Sequence, residues 1–473
     1  MNNGRILSNV AWRFAEQISS YSVTFIVSII IARILSPEDY GSIAIIMVFI
    51  NIANIFVQNG FSAALIQKKN ADNLDFSSIF YFILAFSIVL YVILFIISPY
   101  VALYYNSEVL SPALRVLGLR LIIGTVNTVQ QSVIARRMIF RKNFFSTLGG
   151  NIVSGILGLV AAYGGLGLWA LIIQNLSYLI VTTVLLWYTV KWRPILAFSW
   201  NRLKGLLNFG WKLMASALAG AIYDDLRTLI IGKVYSKSDL AYYSRGQQFP
   251  QIIMNNVNNA VSSVTFPVLS EKQDNKEDLA NSNRKLIQIM SGVISPLLVG
   301  LSVVAEPLVR IILTDKWLPC VPFLQICCMF YWLTCIYNSY LTSYKAIGNS
   351  GLALKIELVD DIIGIILIAC FFKISVMAIA IITVVSRIAA FFVCWFITKK
   401  IFNVPIRSQI YDSLMPVLLA TMISPLLCYI GNFVYYPIMK IVIQLSVGFV
   451  LYCVGTYFLK LPIIIEIKQI LKK

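Results

Sequence analysis

The strongest constraint in this sequence is the stretch 80–97, FYFILAFSIVLYVILFII, in which Ser87 is the sole small polar residue before Ser98-Pro99 ends the run. Roughly 20 apolar helical residues cross the hydrocarbon core of a bilayer, so such a run is a candidate membrane span. Comparable runs recur at 12–34, 41–66, 113–135, 144–163, 167–190, 207–233, 241–269, 286–313, 318–344, 351–372, 375–398, 411–430 and 438–459. Composition agrees: 59% of residues are apolar and 12% charged, against about 45–50% and about 25% in soluble domains. The spacing predicts an all-α polytopic membrane protein with about fourteen transmembrane helices. Runs 12–34, 207–233 and 241–269 carry Ser, Asn, Gln and charge every three to four positions, the pattern of helices lining a polar interior.

Thirty-eight basic and 20 acidic residues leave a net charge of +18. Gathered on one soluble face, that excess would suggest nucleic acid. Here the basic residues form small clusters between apolar runs, which argues against a nucleic-acid partner. With both termini cytoplasmic, the inside loops and tails hold about 23 Lys and Arg, including Lys68, Lys69, Arg136, Arg137, Arg141, Lys142, Lys399 and Lys400. The outside loops hold about five, among them Lys233, Lys237, Lys316 and Lys373. The first run has Arg13 and Glu16 near its start and no small-residue cleavage motif, which predicts a retained helix rather than a signal peptide. No loop exceeds about twenty residues, too few for an extramembrane catalytic domain, and the mostly charged stretch 270–285 reads as a solvated hinge.

Histidine is absent, which excludes a histidine base, a histidine metal ligand or a Ser/His relay. The eight cysteines lie in or beside apolar segments without CxxC spacing, so buried inert thiols are expected, and no metal site or cofactor.

A weak internal repeat is present. IIARILSPEDYG at 30–41 aligns with IIGKVYSKSDLA at 230–241, placing Arg33 over Lys233, Ser36 over Ser236 and Asp39 over Asp239. NVAWRF at 9–14 matches NFGWKL at 208–213, and Trp187 and Trp395 close the last turns of equivalent spans. Six helices per unit preserve orientation, which predicts parallel repeats about an axis along the membrane normal. The expected organisation is a six-helix bundle in 1–200, a second in 201–405, and two further helices with a cytoplasmic tail in 406–473.

ILSPEDYG after the first span, NGFSAALIQKKNADNLDFSSIF between spans 2 and 3, FPVLSEKQDN after span 8, DKWLPCVPFLQI entering span 10 and YKAIGNSGLALKIE between spans 10 and 11 carry a resemblance. Together they resemble bacterial polysaccharide and lipopolysaccharide flippases of the multidrug/oligosaccharidyl-lipid/polysaccharide exporter superfamily, along nearly the whole chain. The resemblance implies a bacterial inner-membrane protein that exports a lipid-diphosphate-linked oligosaccharide by alternating access. Its partners would be that substrate, membrane lipids and other polysaccharide-assembly proteins. The matching strings mark loops and helix ends, so they say little about the sugar.

Ionisable residues inside the spans are costly and usually face a bundle interior. They are Arg115 and Arg120 on span 4, Asp224, Asp225 and Arg227 on span 7, Arg245 on span 8, Glu357, Asp360 and Asp361 on span 11, and Arg387 on span 12. Arg120, Arg227, Arg245 and Arg387 are candidates for holding the carrier diphosphate, because a guanidinium grips two phosphate oxygens and stays charged in a dry site. Mutual neutralisation is the alternative: Asp224 or Asp225 with Arg227 or Arg245, and Asp360 or Asp361 with Arg387. Arg120 has no acidic residue in its own hairpin. Glu357 and Asp361, four apart, share a helix face, with Asp360 on an adjoining one. The carboxylates Asp224, Asp225, Glu357, Asp360 and Asp361 are candidates for ion coupling or charge pairing. Tyr104, Tyr105, Trp169, Trp187, Tyr188, Trp192, Trp200, Trp211, Trp317, Tyr435 and Tyr436 read as an interfacial belt. Tyr242 and Tyr243, beside Arg245, are the candidates for sugar stacking.

A multidrug exporter of the same superfamily would want an acid-lined pocket, which the arginines oppose. A membrane polymerase, ligase or acyltransferase would be expected to show a histidine or a large outer loop, so no enzyme is expected.

Overall fold

The computed structural model describes residues 3–58, 65, 72–271, 276–459 and 461. Among these are fifteen α-helices, one 3-10 helix and no strand. The α-helices are α1 (Asn3–Ile34), α2 (Pro37–Gln58), α3 (Asn73–Tyr104), α4 (Leu110–Arg137), α5 (Phe140–Tyr163), α6 (Leu168–Val190), α7 (Trp200–Val234) and α8 (Lys237–Glu271). They continue with α9 (Lys276–Val303), α10 (Ala305–Ile312), α11 (Val321–Ala346), α12 (Ser350–Phe371), α13 (Val376–Phe402), α14 (Ile406–Asn432) and α15 (Pro437–Phe458). The 3-10 helix spans Asp315–Cys320.

Each apolar run falls on a helix, with differences at the ends. The run 41–66 is helical to Gln58, and 59–64 and 66 lie outside the described residues. The run 286–313 breaks at Val304 into α9 and α10. Eleven helices are long and apolar enough to cross a membrane among the described residues, and α7, α8, α12 and the eight-residue α10 fall outside that set. Helix α12 carries Lys355, Glu357, Asp360 and Asp361 within 22 residues. Helix α8 carries Gln247, Gln248, Gln251, Asn255, Asn256, Asn258 and Asn259. The described part of the stretch expected as a hinge is largely helical. Helix α9 starts at Lys276 and buries Leu279, Ala280 and Asn283 at helical spacing, while 272–275 lie outside the described residues.

The chain divides into compact units Met1–Ala241 and Tyr242–Lys473. In the first, α5 is the central packing element, against α1 and α6. Its small residues explain this, because lipid offers little hydrophobic drive and helices in it gain from close backbone approach. A Cβ on Gly155 would lie 2.7 Å from Val27 of α1, and one on Gly150 2.1 Å from the Thr182 hydroxyl of α6. A second core joins Phe76, Ile79, Phe80 and Ile83 of α3 to Val129 and Val133 of α4 and to Leu186, Val190 and Trp192. The 191–199 connector is tied down by serines that open α3: Ser77 and Ser78 accept from the Ile195 and Ser199 N–H groups at 3.0 Å each. Asp72 caps α3 in a reciprocal box with Asp75 and also receives Arg202.

In the second unit, α9 packs on α11, α14 and α15. Arg284 of α9 grips Asp412 of α14 at 2.7 and 3.2 Å, with Gln288 donating to the same carboxylate at 2.6 Å. A buried layer above it links Trp332 to Ser295 and Tyr344 to Thr398. Thus α14 and α15 belong to the packing of this unit.

Proline inside a helix frees the carbonyl four residues earlier, and in lipid that carbonyl needs another donor. Ser98-Pro99 is expected to end the third span, yet α3 continues through Pro99 to Tyr104. The Ser98 hydroxyl donates to the Phe95 carbonyl at 2.8 Å, replacing the missing N–H. Ser424 does the same for Thr421 ahead of Pro425 at 2.8 Å. For Pro296 of α9 the donor comes from another helix: the Tyr452 hydroxyl bonds the Gly292 carbonyl at 2.9 Å.

Candidate functional site

The intramembrane charges fall into two groups by unit. In the first unit, Arg120 extends from α4, where its Nη1 donates to Asn175 Oδ1 of α6 at 2.9 Å. No carboxylate among the described residues lies within ion-pair distance of it. Glu16 of α1 is engaged by Arg13 at 2.5 Å. Arg115, one and a half turns before Arg120, donates to the Ser98 hydroxyl at 2.8 Å and lies 4.2 Å from the Phe95 ring centroid. On α7, Arg227 is 3% exposed and pairs with the exposed Asp224 at 2.9 Å. Its guanidinium also sits 5.2 Å from the Tyr223 ring. Asp225 is half-buried beside them.

In the second unit, Arg245 is buried on α8, donates to Gln248 Oε1 at 2.5 Å and lies 5.6 Å from the Trp317 ring. Tyr242 meets the same indole edge-on at 6.1 Å, and Tyr243 packs on Phe323 at 6.0 Å. Gly246 permits this approach, since a Cβ there would lie 2.7 Å from the Leu324 nitrogen. Arg387 of α13 pairs with Asp360 of α12 at 2.9 Å, and its guanidinium stands 4.5 Å from Tyr337 and 5.4 Å from Phe330 of α11. Glu357 turns to Lys345 at 3.0 Å, and Asp361 is half-buried one position past Asp360.

Chemically, Arg227 and Arg387 carry carboxylate partners, whereas Arg120 is held by a carboxamide, which fixes a guanidinium without cancelling its charge; Arg245 also meets a carboxamide, that of Gln248. Several residues differ from their expected roles. Trp317 is fully buried against Arg245 and Trp192 is 4% exposed, so neither belongs to an interfacial belt. Tyr105 is buried too and donates to the Leu229 carbonyl at 3.2 Å. Tyr188, Trp200, Trp211, Tyr435 and Tyr436 are exposed as a belt requires. Cys370, Cys428 and Cys453 are exposed rather than buried, and all eight cysteines are free. Sequence reasoning missed Asn175 and Gln248; their signal is a carboxamide on a polar face of an intramembrane helix.

At the extracytoplasmic end expected from the charges, the repeat is reproduced in detail. Ser36 and Asp39 form a reciprocal box at 2.7 Å (side chain to side chain), and Ser236 and Asp239 form the same box at 2.6 Å. Both aspartate N–H groups are received by the preceding serine hydroxyls, at 3.2 and 3.0 Å.

The fold is one shared with lipid flippase and multidrug transporter structures. It matches lipid II flippase MurJ in the inward closed conformation at TM-score 0.77 and 16% identity, covering 95% of this chain and 99% of that one. It matches an inward-facing multidrug resistance MATE family transporter of the MOP superfamily at TM-score 0.65 and 17% identity, covering 81% and 94%. Residues 30–322 match the family described as polysaccharide biosynthesis protein, and the chain belongs to that family. Relatives include the succinoglycan biosynthesis transport protein ExoT of Rhizobium meliloti (strain 1021), 23% identical over 74% of this chain and 71% of the relative. The lipopolysaccharide biosynthesis protein WzxC of Escherichia coli (strain K12) is 23% identical over 69% and 66%.

Proposed function

We propose that this protein is a flippase moving an undecaprenyl-diphosphate-linked oligosaccharide from the cytoplasmic to the outer leaflet of the bacterial inner membrane. It would serve cell-surface polysaccharide biosynthesis (O-antigen, capsule or exopolysaccharide), with no chemical step of its own. The observation that carries this reading is Arg120, a guanidinium inside an apolar helix whose partner is the neutral Asn175. Such a cation suits a diphosphate and repels a cationic drug. The relatives' roles in succinoglycan and lipopolysaccharide biosynthesis support the substrate class.

Arg120 and Arg227 in the first unit, and Arg245 and Arg387 in the second, are the candidate phosphate contacts in this scheme. Arg227 and Arg387 would exchange their carboxylate partners, Asp224 and Asp360, for phosphate. Tyr242 offers a stacking face to sugar, whereas Tyr243 is 2% exposed and packs on Phe323. Asp225, Glu357 and Asp361 are the carboxylates available for ion coupling. Transport is by alternating access, with 1–200 and 201–405 as the two repeats, 406–473 appended and both termini cytoplasmic.

Lipid extraction from cells lacking the protein tests the scheme. The expected result is accumulation of one diphosphate-linked oligosaccharide, whose mass identifies the repeat unit. An unchanged lipid pool, with normal surface polysaccharide, refutes it.

A further inference from the structure

We propose that Asn175 is the positioning residue for the phosphate-binding arginine, orienting Arg120 while leaving its charge available. The inference rests on the reading of Arg120 as a diphosphate contact. Three observations carry it.

First, the carboxamide orientation is forced. Asn175 Nδ2 donates to the Leu171 carbonyl one turn back in α6 at 2.8 Å, which turns Oδ1 toward Arg120. The flipped amide would set donor against donor at Arg120 and acceptor against acceptor at Leu171. Second, the contact uses one edge of the guanidinium, through Nη1, and the other N–H groups have no hydrogen-bond partner among the described residues. They are left for a ligand that accepts bidentately. Third, the one acid that shares a neighbour with Arg120 is engaged elsewhere. Glu16, which with Arg120 acts on the Tyr178 phenol, takes Arg13 at 2.5 Å.

A neutral acceptor at this position differs from a carboxylate in kind. An aspartate in place of Asn175 would reproduce the arrangement of Arg387 with Asp360, in which the acid competes directly with an incoming phosphate. A residue without an acceptor would leave the charge but let the long side chain sample several rotamers, and the ligand would then have to order it. Asn175 thus sets the affinity for an anionic head group without touching it.

The test uses the full chain in nanodiscs, with farnesyl diphosphate as probe and tryptophan fluorescence as the binding readout, alongside thermal unfolding. Asn175→Asp is expected to weaken binding about tenfold or more, to the level of Arg120→Gln, with thermal unfolding unchanged or raised. Combining Asn175→Asp with Arg120→Gln should weaken it no further than Arg120→Gln alone. Asn175→Leu keeps the volume and the arginine charge, and should weaken binding by a smaller factor, about threefold to tenfold. Wild-type affinity in either Asn175 variant, with Arg120→Gln weakened, overturns the positioning role while the diphosphate reading stands. Wild-type affinity in Arg120→Gln overturns that reading, and this inference with it.

Discussion

Arg120 and Arg387 are both arginines inside apolar helices, yet their chemistry predicts opposite responses to neutralisation. Asn175 loses little when Arg120 becomes Gln, so Arg120→Gln should reach the membrane at normal abundance, by immunoblot, while surface polysaccharide falls. Arg387→Gln removes the cation that Asp360, 2% exposed, receives at 2.9 Å. Leaving one partner of a buried pair uncompensated costs about 3–5 kcal/mol. Thermal unfolding should therefore fall sharply in Arg387→Gln and recover in Arg387→Gln/Asp360→Asn. A different ion pair gives a pH dependence outside the spans. Arg202 first, and the Asp75 backbone N–H second, hold the Asp72 carboxyl down at about 2 from its ordinary 3.8. Its contribution is complete above about pH 4 and disappears as pH falls through about 2. Acid unfolding followed by circular dichroism should lose this component in Arg202→Gln. The arginines themselves were legible in the sequence, because residue type and span position suffice to find them. Their partners were not: the Arg120–Asn175 bond joins residues 55 apart on two helices, and one-dimensional spacing carries no information on which helices touch.

At the scale of elements, α5 and the prolines show how lipid-embedded helices replace hydrophobic drive and lost hydrogen bonds. Gly150→Val should destabilise strongly, since even a Cβ meets the Thr182 hydroxyl at 2.1 Å; overpacking of this kind costs about 1–3 kcal/mol or more. Tyr452→Phe removes the donor to the Gly292 carbonyl below Pro296 and should cost about 1–2 kcal/mol in thermal unfolding. Helix existence was readable from apolar length for eleven helices, and for α7 and α8 from polar residues recurring every three to four positions. Helix ends were misjudged at Ser98-Pro99 because the serine hydroxyl restores the bond that proline removes, a local rescue that the Ser-Pro dipeptide signals once its geometry is known. The break at Val304 did leave a mark that apolar length overlooks: Glu306-Pro307 follows within three residues, an acid and a proline in the first turn of a new helix.

For the whole molecule, the repeat detected at 30–41 and 230–241 survives as two matching capping boxes, Ser36 with Asp39 and Ser236 with Asp239. It was visible in sequence because capping chemistry demands particular polar residues, while the apolar helices between vary freely. The charge bias predicts the orientation, and positions flanking and ending α13 test it. Lys373→Cys and Lys400→Cys, both exposed, should label with an impermeant maleimide from outside and only after permeabilisation, respectively. The reverse pattern refutes the orientation. The central claim is translocation of a diphosphate-linked oligosaccharide, and its most direct test is protein reconstituted into vesicles with a radiolabelled lipid-diphosphate oligosaccharide and an impermeant glycosidase added outside. The wild-type protein should let the enzyme digest nearly all of the labelled lipid, and Arg120→Gln should leave digestion near the half accessible in protein-free vesicles. Digestion by wild-type vesicles no greater than in protein-free ones would contradict the claim.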